Sequence, residues 1–316
     1  AVLRRYVHMK RVLCIGHAVQ DFVFNTPQLP QTAEKHRATG FSAVGGGPAA
    51  TAAVAIVKLG GRAQLVARVG DDLVADVIQR ELENYGVDCR HLRRFAGHQS
   101  SVSSVFVDRR GERLIVNHTD SALPADPAWL TSSVSLDEID VVLADTRWPE
   151  GAASLLQRAR QSGLPAVLDA DTPVPKAGVL IEAATHIAFS LAGLKDYSGC
   201  TDAIDDIDRA LHRIANRLKT WCCVTLGASG VLVVDGRHGH QDVQSLTIPA
   251  YAVEPLDTLG AGDVWHGAFA LALAEGNDEI SAVRAASAAA AIKVTRPGGR
   301  AGAPSRRERD SLLESK

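Results

Sequence analysis

The sequence predicts an α/β fold, a mostly parallel sheet with helices on both faces and a small β-sheet lid. Three observations predict it. Short, continuously apolar runs rich in β-branched residues alternate with longer amphipathic segments, which is the pattern of parallel strands buried on both faces and joined by helices. Two stretches, 20–43 and 98–122, break that rhythm with turn residues and a hairpin pattern. The chain is 316 residues long and 46% hydrophobic, enough for a large core that needs no disulfide or metal to hold it.

The elements follow in order. Residues 1–8 are basic, lack a long apolar segment behind them and precede the only methionine, Met9; they are expected to be an extension outside the fold. Core strands are expected at 11–15, 64–69, 141–145, 166–169, 186–189, 222–226 and 231–234. Helices are expected at 48–59, 73–85, 151–161, 203–218, 263–274 and 279–294. Ser101–Val107 and Arg113–Asn117 read as a hairpin closed by Asp108-Arg109-Arg110-Gly111. Residues 9–316 therefore read as a single domain. A β layer over the carboxyl ends of the parallel strands would act as a lid, because ligands in open α/β sheets bind there.

Charge and composition exclude several functions. The 34 Lys and Arg against 36 Asp and Glu give a net charge of −2, so the surface as a whole offers nothing to nucleic acid or an anionic membrane. No uncharged apolar run approaches the ~20 residues of a membrane span. The five cysteines are odd in number, two are adjacent, and none has zinc-site spacing; free thiols and a cytoplasmic location are expected. A P-loop is absent, Cys14-Ile15-Gly16-His17 lacks the dinucleotide glycines, and Gly227-Ala228-Ser229-Gly230 is one residue short of a nucleophile elbow. His266 reads as packing or support, and Trp148 as packing or a pocket wall.

Chemistry concentrates in Asp257-Thr258-Leu259-Gly260-Ala261-Gly262-Asp263, which runs directly into a helical pattern. Small residues before a helix let backbone N–H groups face open space at its positive end, which suits an anion and phosphate above all. A carboxylate at the end of that loop could take a proton from an incoming hydroxyl. Nucleophile, base and anion cradle together describe phosphoryl transfer. A helix cap alone would be a purely structural feature; the full string is far more specific.

The string resembles the C-terminal signature of the ribokinase-like (PfkB) carbohydrate kinases, and the resemblance runs from about Met9 through most of the chain. It takes in the strand leading to Asp21, the cluster Gly45-Gly46-Gly47, Val69-Gly70-Asp71-Asp72, and Thr225-Leu226-Gly227-Ala228-Ser229-Gly230. The resemblance implies Asp263 as catalytic base, with Gly260, Ala261 and Gly262 as the anion hole. It further implies ATP and Mg²⁺, nucleotide contacts at Thr225, Gly227, Ser229 and Gly230, and substrate contacts at Asp21, Gly46 and Gly47. The family's Asn-x-x-Glu motif is replaced by Ser190-Leu191-Ala192-Gly193, so no metal ligand is assigned. The family's monovalent-cation loop falls near 295–302, where Arg296 and Arg300 stand, and potassium dependence is not expected.

Residues 44–55, 143–148 and 295–302 look like the sulfofructose kinases of this family, which phosphorylate 6-deoxy-6-sulfofructose at O1. That likeness implies Lys35, Asn117 and Arg147 around the sulfonate. A permanently anionic sugar does need a desolvated cation, preferably a guanidinium. Taken singly, each has a plainer reading: a surface Lys, a strand-edge Asn, and an Arg paired with a neighbour such as Glu150. Other sugars (ribose, fructose, 2-keto-3-deoxygluconate) and a catalytically silent sugar or nucleotide sensor are the alternatives. Lids of this family often pair between subunits, so the resemblance leaves a homodimer through the lid open, while the residues themselves specify no oligomeric state.

Overall fold

The computed structural model describes residues 9–176, 179–237 and 244–315; the expectation for 1–8 lies outside them. In chain order, β1 (Arg11–Gly16), β2 (Val19–Asn25) and β3 (Gly40–Gly46) lead into α1 (Pro48–Lys58). β4 (Arg62–Gly70), α2 (Leu73–Asn84), β5 (Asp88–Phe95), β6 (Ser101–Val107) and β7 (Arg113–His118) follow. Next come α3 (Ala128–Ser133), β8 (Val141–Ala144), α4 (Pro149–Gln161), β9 (Ala166–Ala170), α5 (Leu180–Ala183) and β10 (His186–Ser190). The chain continues through α6 (Leu191–Ser198), α7 (Ile204–Leu218), β11 (Trp221–Thr225), β12 (Val231–Asp235) and β13 (Leu246–Ile248). It closes with α8 (Ala261–Ala274), α9 (Glu279–Val294) and α10 (Arg306–Glu314).

Nine strands form one sheet in the order β13-β12-β11-β10-β9-β8-β1-β4-β5. It is parallel from β11 to β5, and β12 and β13 close one edge antiparallel. Its strands are apolar along their whole length because both faces are covered. Ile56, Leu65, Val264 and Phe269 pack on one face under α1, α8 and α9. Leu13, Leu156, Phe189 and Leu211 pack on the other under α4 and α7. Helix α8 is buried along nearly all its length, as its unbroken apolar sequence requires.

The lid is a separate four-stranded sheet in the order β3-β2-β6-β7, antiparallel except for the β2–β6 pair. The extended reading of 20–43 thus resolves into β2 and β3, and β3 runs on into the glycine cluster as far as Gly46. Two helices begin two residues earlier than the pattern placed them, at Pro149 and Ala261. Strand β5 went unread because its sequence, DCRHLRRF, alternates buried residues with charge, as an edge strand may. All five cysteines are buried free thiols. Among the described residues, no helix is long and apolar enough to cross a membrane.

Candidate active site

Helix α8 opens at Gly260, whose φ of 74° lies in the left-handed region that glycine tolerates best. Thr258 accepts a hydrogen bond from the Ala261 N–H (3.2 Å), closing the turn. The N–H groups of Gly262 and Asp263 fall in the first helical turn, where no intrahelical carbonyl can reach them. Gly262 is exposed, and a Cβ placed there would meet nothing within 4 Å. The loop therefore presents donors to open space beside a carboxylate.

Asp263 is held at that opening, its carboxyl pushed up to about 7 by burial and then by the neighbouring Asp169 charge. Asp169, at the end of β9, is itself raised by burial and by Asp171, and its Oδ1 is buried without a hydrogen-bond partner. His266 lies one turn further along α8, with Nδ1 2.7 Å from the Gly262 carbonyl and Nε2 3.2 Å from that of Ala188. Its Nε2 is also 3.4 Å from Asp169 Oδ1, but the shorter approach to Ala188 is the one aligned for hydrogen bonding. The ring thus braces the first turn of α8 against β10.

On one side of the loop is a cavity of about 330 Å³. Ala261 and Gly262 line its inner end, Thr225, Gly227 and Gly230 one wall, and Tyr251 and Trp265 the rest of a mostly apolar interior. Of the four residues predicted on this side, Ser229 alone does not line it; it is exposed in the 3₁₀ turn between β11 and β12.

The lid meets the head of the same loop, where Arg113 on β7 donates to Asp257 (2.6 Å). Register places Asp21, Ser103 and Asn117 in one lateral row across β2, β6 and β7. The Asn117 amide donates to Ser103 Oγ (3.0 Å), and the buried Asp21 is the register partner of the same serine. Burial raises the Asp21 carboxyl, against the opposing pull of Ser103 and Arg300. Gly46 lies directly against it, because a Cβ there would be 2.2 Å from Asp21 Oδ2. Gly47, at φ 93°, passes as close to the His17 carbonyl. Asp145 accepts from the N–H groups of His17 (2.8 Å), Ala49 (3.1 Å) and Arg147 (2.8 Å), tying the β1 end to the start of α1.

The predicted sulfonate residues are less closely gathered. Arg147 is partly exposed past β8 and pairs with Asp171 at 3.5 Å, rather than with Glu150. Lys35 is exposed in the β2–β3 connection. No hydrogen bond or ion pair joins Lys35, Asn117 and Arg147 to one another among the described residues. Trp148 is packing: it is buried, donates to the Ala125 carbonyl and stacks on Trp129.

Comparison with known proteins bears on this arrangement. The model of the pfkB family carbohydrate kinases matches residues 9–306. The chain belongs to that family. It is 29% identical over 307 residues to a ribokinase of Bacillus subtilis (strain 168), covering 96% of this chain and 100% of the relative. A crystal structure of a protein assigned as a ribokinase from Agrobacterium tumefaciens superposes with a TM-score of 0.84 at 36% identity, covering 97% of this chain and 98% of that one. Arabidopsis thaliana ribokinase, solved with ribose and ATP, shares the fold at a TM-score of 0.82 and 22% identity, covering 97% and 99% of the two chains.

Within this pfkB chain, nothing in the sequence singles out Ser103 or Glu81, and Arg300 stands out only as a charge near the monovalent-cation loop. Ser103 looked like any alternating strand serine. Glu81 and Arg300 are 219 positions apart, yet Arg300 is buried and donates to Glu81 from Nε (3.3 Å) and Nη2 (3.0 Å). That guanidinium fills the space a Gly45 side chain would need. Only the tertiary fold reveals the pair, so no local pattern could have signalled it.

Proposed function

We propose that this chain transfers the terminal phosphoryl group of ATP to a hydroxyl of an anionic sugar, with 6-deoxy-6-sulfofructose at O1 as the first candidate. One observation carries the kinase part of this reading: the loop that opens α8 lines an apolar cavity sized for a nucleoside and is tied at its head, Asp257, to lid strand β7 through Arg113. That arrangement suits a nucleotide, a transferring phosphoryl group and a sugar. In this reading Asp263 accepts the proton of the attacking hydroxyl, and the N–H groups of Gly260–Asp263 stabilise charge on the phosphoryl oxygens. Thr225, Gly227, Ser229 and Gly230 border the nucleotide, while Asp21, Gly46 and Gly47 face the sugar.

Among the described residues, no three carboxylate, histidine or cysteine side chains form a cage for a metal. This donor set fits Mg²⁺, which is commonly bound through phosphate oxygens and water with one or two carboxylates. Asp169, with its unpartnered Oδ1, and Asp171 would be its protein-side partners through water. The ion would screen the phosphate charge. Closure of the lid over the site would exclude water and limit ATP hydrolysis.

Support for an anionic substrate comes from the guanidinium of Arg147, just past the carboxyl end of β8; Asn117, whose amide donates to Ser103 Oγ and the Val102 carbonyl, would have to release an N–H to meet the anion. Lys35 would have to approach with the β2–β3 connection. The similarity to ribokinases supports ribose as the second reading. We further read 9–316 as one domain with lid segments near 20–43 and 98–122, dimeric through the lid. The lid's outer face supports that assembly: Phe22, Phe24, Phe41 and Phe106 cluster there, with Phe41 and Val116 59% and 61% exposed.

The deciding experiment compares kcat/KM for sulfofructose, ribose, fructose 6-phosphate and 2-keto-3-deoxygluconate. A preference for sulfofructose of about 100-fold, the scale of one desolvated charge-assisted contact, is expected, with Arg147→Ala losing that substrate selectively. A preference for ribose would overturn the sulfonate assignment and leave the kinase reading standing. Equal losses on all sugars would make Arg147 structural.

A further inference from the structure

Lys293 stands in the last turn of α9 with its side chain wholly buried. Its ammonium faces three oxygens: the Asp257 carbonyl at 2.8 Å, Asp257 Oδ2 at 3.1 Å and the Arg296 carbonyl at 3.3 Å. The Asp257 carboxylate also accepts from the N–H groups of Leu259 (2.9 Å) and Gly299 (3.2 Å), and from Arg113 Nη2 on lid strand β7 (2.6 Å). One carboxylate thus ties together α9, the turn after it, the anion-hole loop and the lid.

Stability alone does not account for a charge in this position. Removing an ammonium from water is expensive, and a buried ion pair often contributes no more than apolar side chains of the same volume. Two of the three oxygens are backbone carbonyls, which need a donor or a cation when buried. They belong to Asp257, at the head of the anion-hole loop, and to Arg296, in the turn that carries Gly299. A cation at this point fixes the first residue of the loop in position.

We propose that the Lys293 ammonium is a built-in monovalent cation that positions the anion-hole loop and, through Asp257 and Arg113, couples it to the lid. This inference rests on reading Gly260–Asp263 as the anion hole. Lys293 touches neither nucleotide nor sugar, so it is a positioning residue. Methionine in its place lacks the charge and is one heavy atom shorter, so it keeps the apolar stem and leaves the three oxygens around the vacated ammonium position arranged for a small monocation in solution.

The test uses the full chain in tetramethylammonium salts, with the best sugar from the panel above. Unmodified enzyme should keep its rate within about 2-fold when potassium is added, because its cation is covalently present. Lys293→Met should lose about 10–100-fold in kcat, the scale of a small misplacement of the catalytic geometry, with KM for the sugar little changed. Potassium or ammonium should return about 10-fold of that rate, with sodium and tetramethylammonium less effective. The same ions should raise the melting temperature of Lys293→Met, a readout that needs no turnover. Lys293→Ala with added propylammonium gives a second rescue. Potassium activation of the unmodified enzyme, full activity of folded Lys293→Met without added cation, or a loss that no cation restores would each overturn the proposal. If neither variant folds, the unmodified-enzyme arm decides. Absence of turnover by the unmodified chain on every sugar would count against the proposed function instead, and the melting-temperature arm would still test Lys293.

Discussion

Asp263→Asn should inactivate the enzyme and stabilise it, and the stabilisation should grow with pH. An ordinary Asp ionises near 3.9, whereas burial and Asp169 hold Asp263 up to about 7. Between those values the unfolded chain releases a proton that the native state retains. The carboxylate therefore weakens folding progressively as pH rises from about 4, and the penalty levels off above about 7. At 1.36 kcal/mol per pKa unit it reaches roughly 1.5 kcal/mol at pH 5 and roughly 4 kcal/mol at pH 8. Asparagine has no charge to desolvate, so the variant's advantage should increase by about 2.5 kcal/mol between pH 5 and pH 8. For a chain of this length that amounts to a relative rise in melting temperature of about 4 °C. Activity should fall about 10²–10⁴-fold, the usual contribution of a positioned base. Calorimetry at the two pH values, beside a coupled assay for ADP release, measures both effects. A variant less stable than the parent at pH 8, or a stability difference that does not change with pH, would refute the placement of Asp263 among desolvated carboxylates.

Gly45→Ala should destabilise the protein by about 3 kcal/mol, because its Cβ would fall 1.1 Å from Arg300 Nη2 and dislodge a buried guanidinium from Glu81. Thermal unfolding would show a drop of about 5 °C; an unchanged melting temperature would mean that Arg300 has another place to go. Ser103→Ala should raise KM for the sugar about 5–10-fold, the value of the one hydrogen bond that Asn117 donates to Ser103 beside Asp21, and leave KM for ATP unchanged. Equal changes in both constants would remove Ser103 from the sugar side.

Legibility tracked the range of the interactions. The strands from β8 to β11 were readable because burial on both faces leaves continuous apolar runs, and the loop opening α8 because a run of small residues before a helix is written in consecutive positions. Asp21 and Asn117 could each be singled out, but their connection depends on strand register, which places Ser103 between them across three strands. Arg300 and Glu81 meet from opposite ends of the chain. Arg147 stands out in the sequence as a sulfonate contact, with pairing to an acidic neighbour such as Glu150 as the plainer reading; the acid it meets is Asp171, from the neighbouring strand end. Strand β5 escaped because edge position permits the charges that a central strand would exclude.

Division of labour within the Asp257–Asp263 loop depends on environment rather than residue type. Both ends are aspartates. Asp257 meets burial, which alone would raise its carboxyl, but the N–H groups of Leu259 and Gly299 and the charge of Lys293 bring it below the ordinary range. It stays ionised and serves as a fixed anchor. Asp263 meets burial and carboxylate neighbours, with His266 as the only opposing influence among those acting on it most strongly, and is raised. It can therefore carry a proton near neutrality, which suits the base proposed for it, since a base must accept a proton and release it in each cycle. Exchanging the two environments would exchange the two roles. In the proposed reading the seven-residue string is the place of phosphoryl transfer; the donors gathered around Asp257, and withheld from Asp263, are what would divide anchoring from proton acceptance.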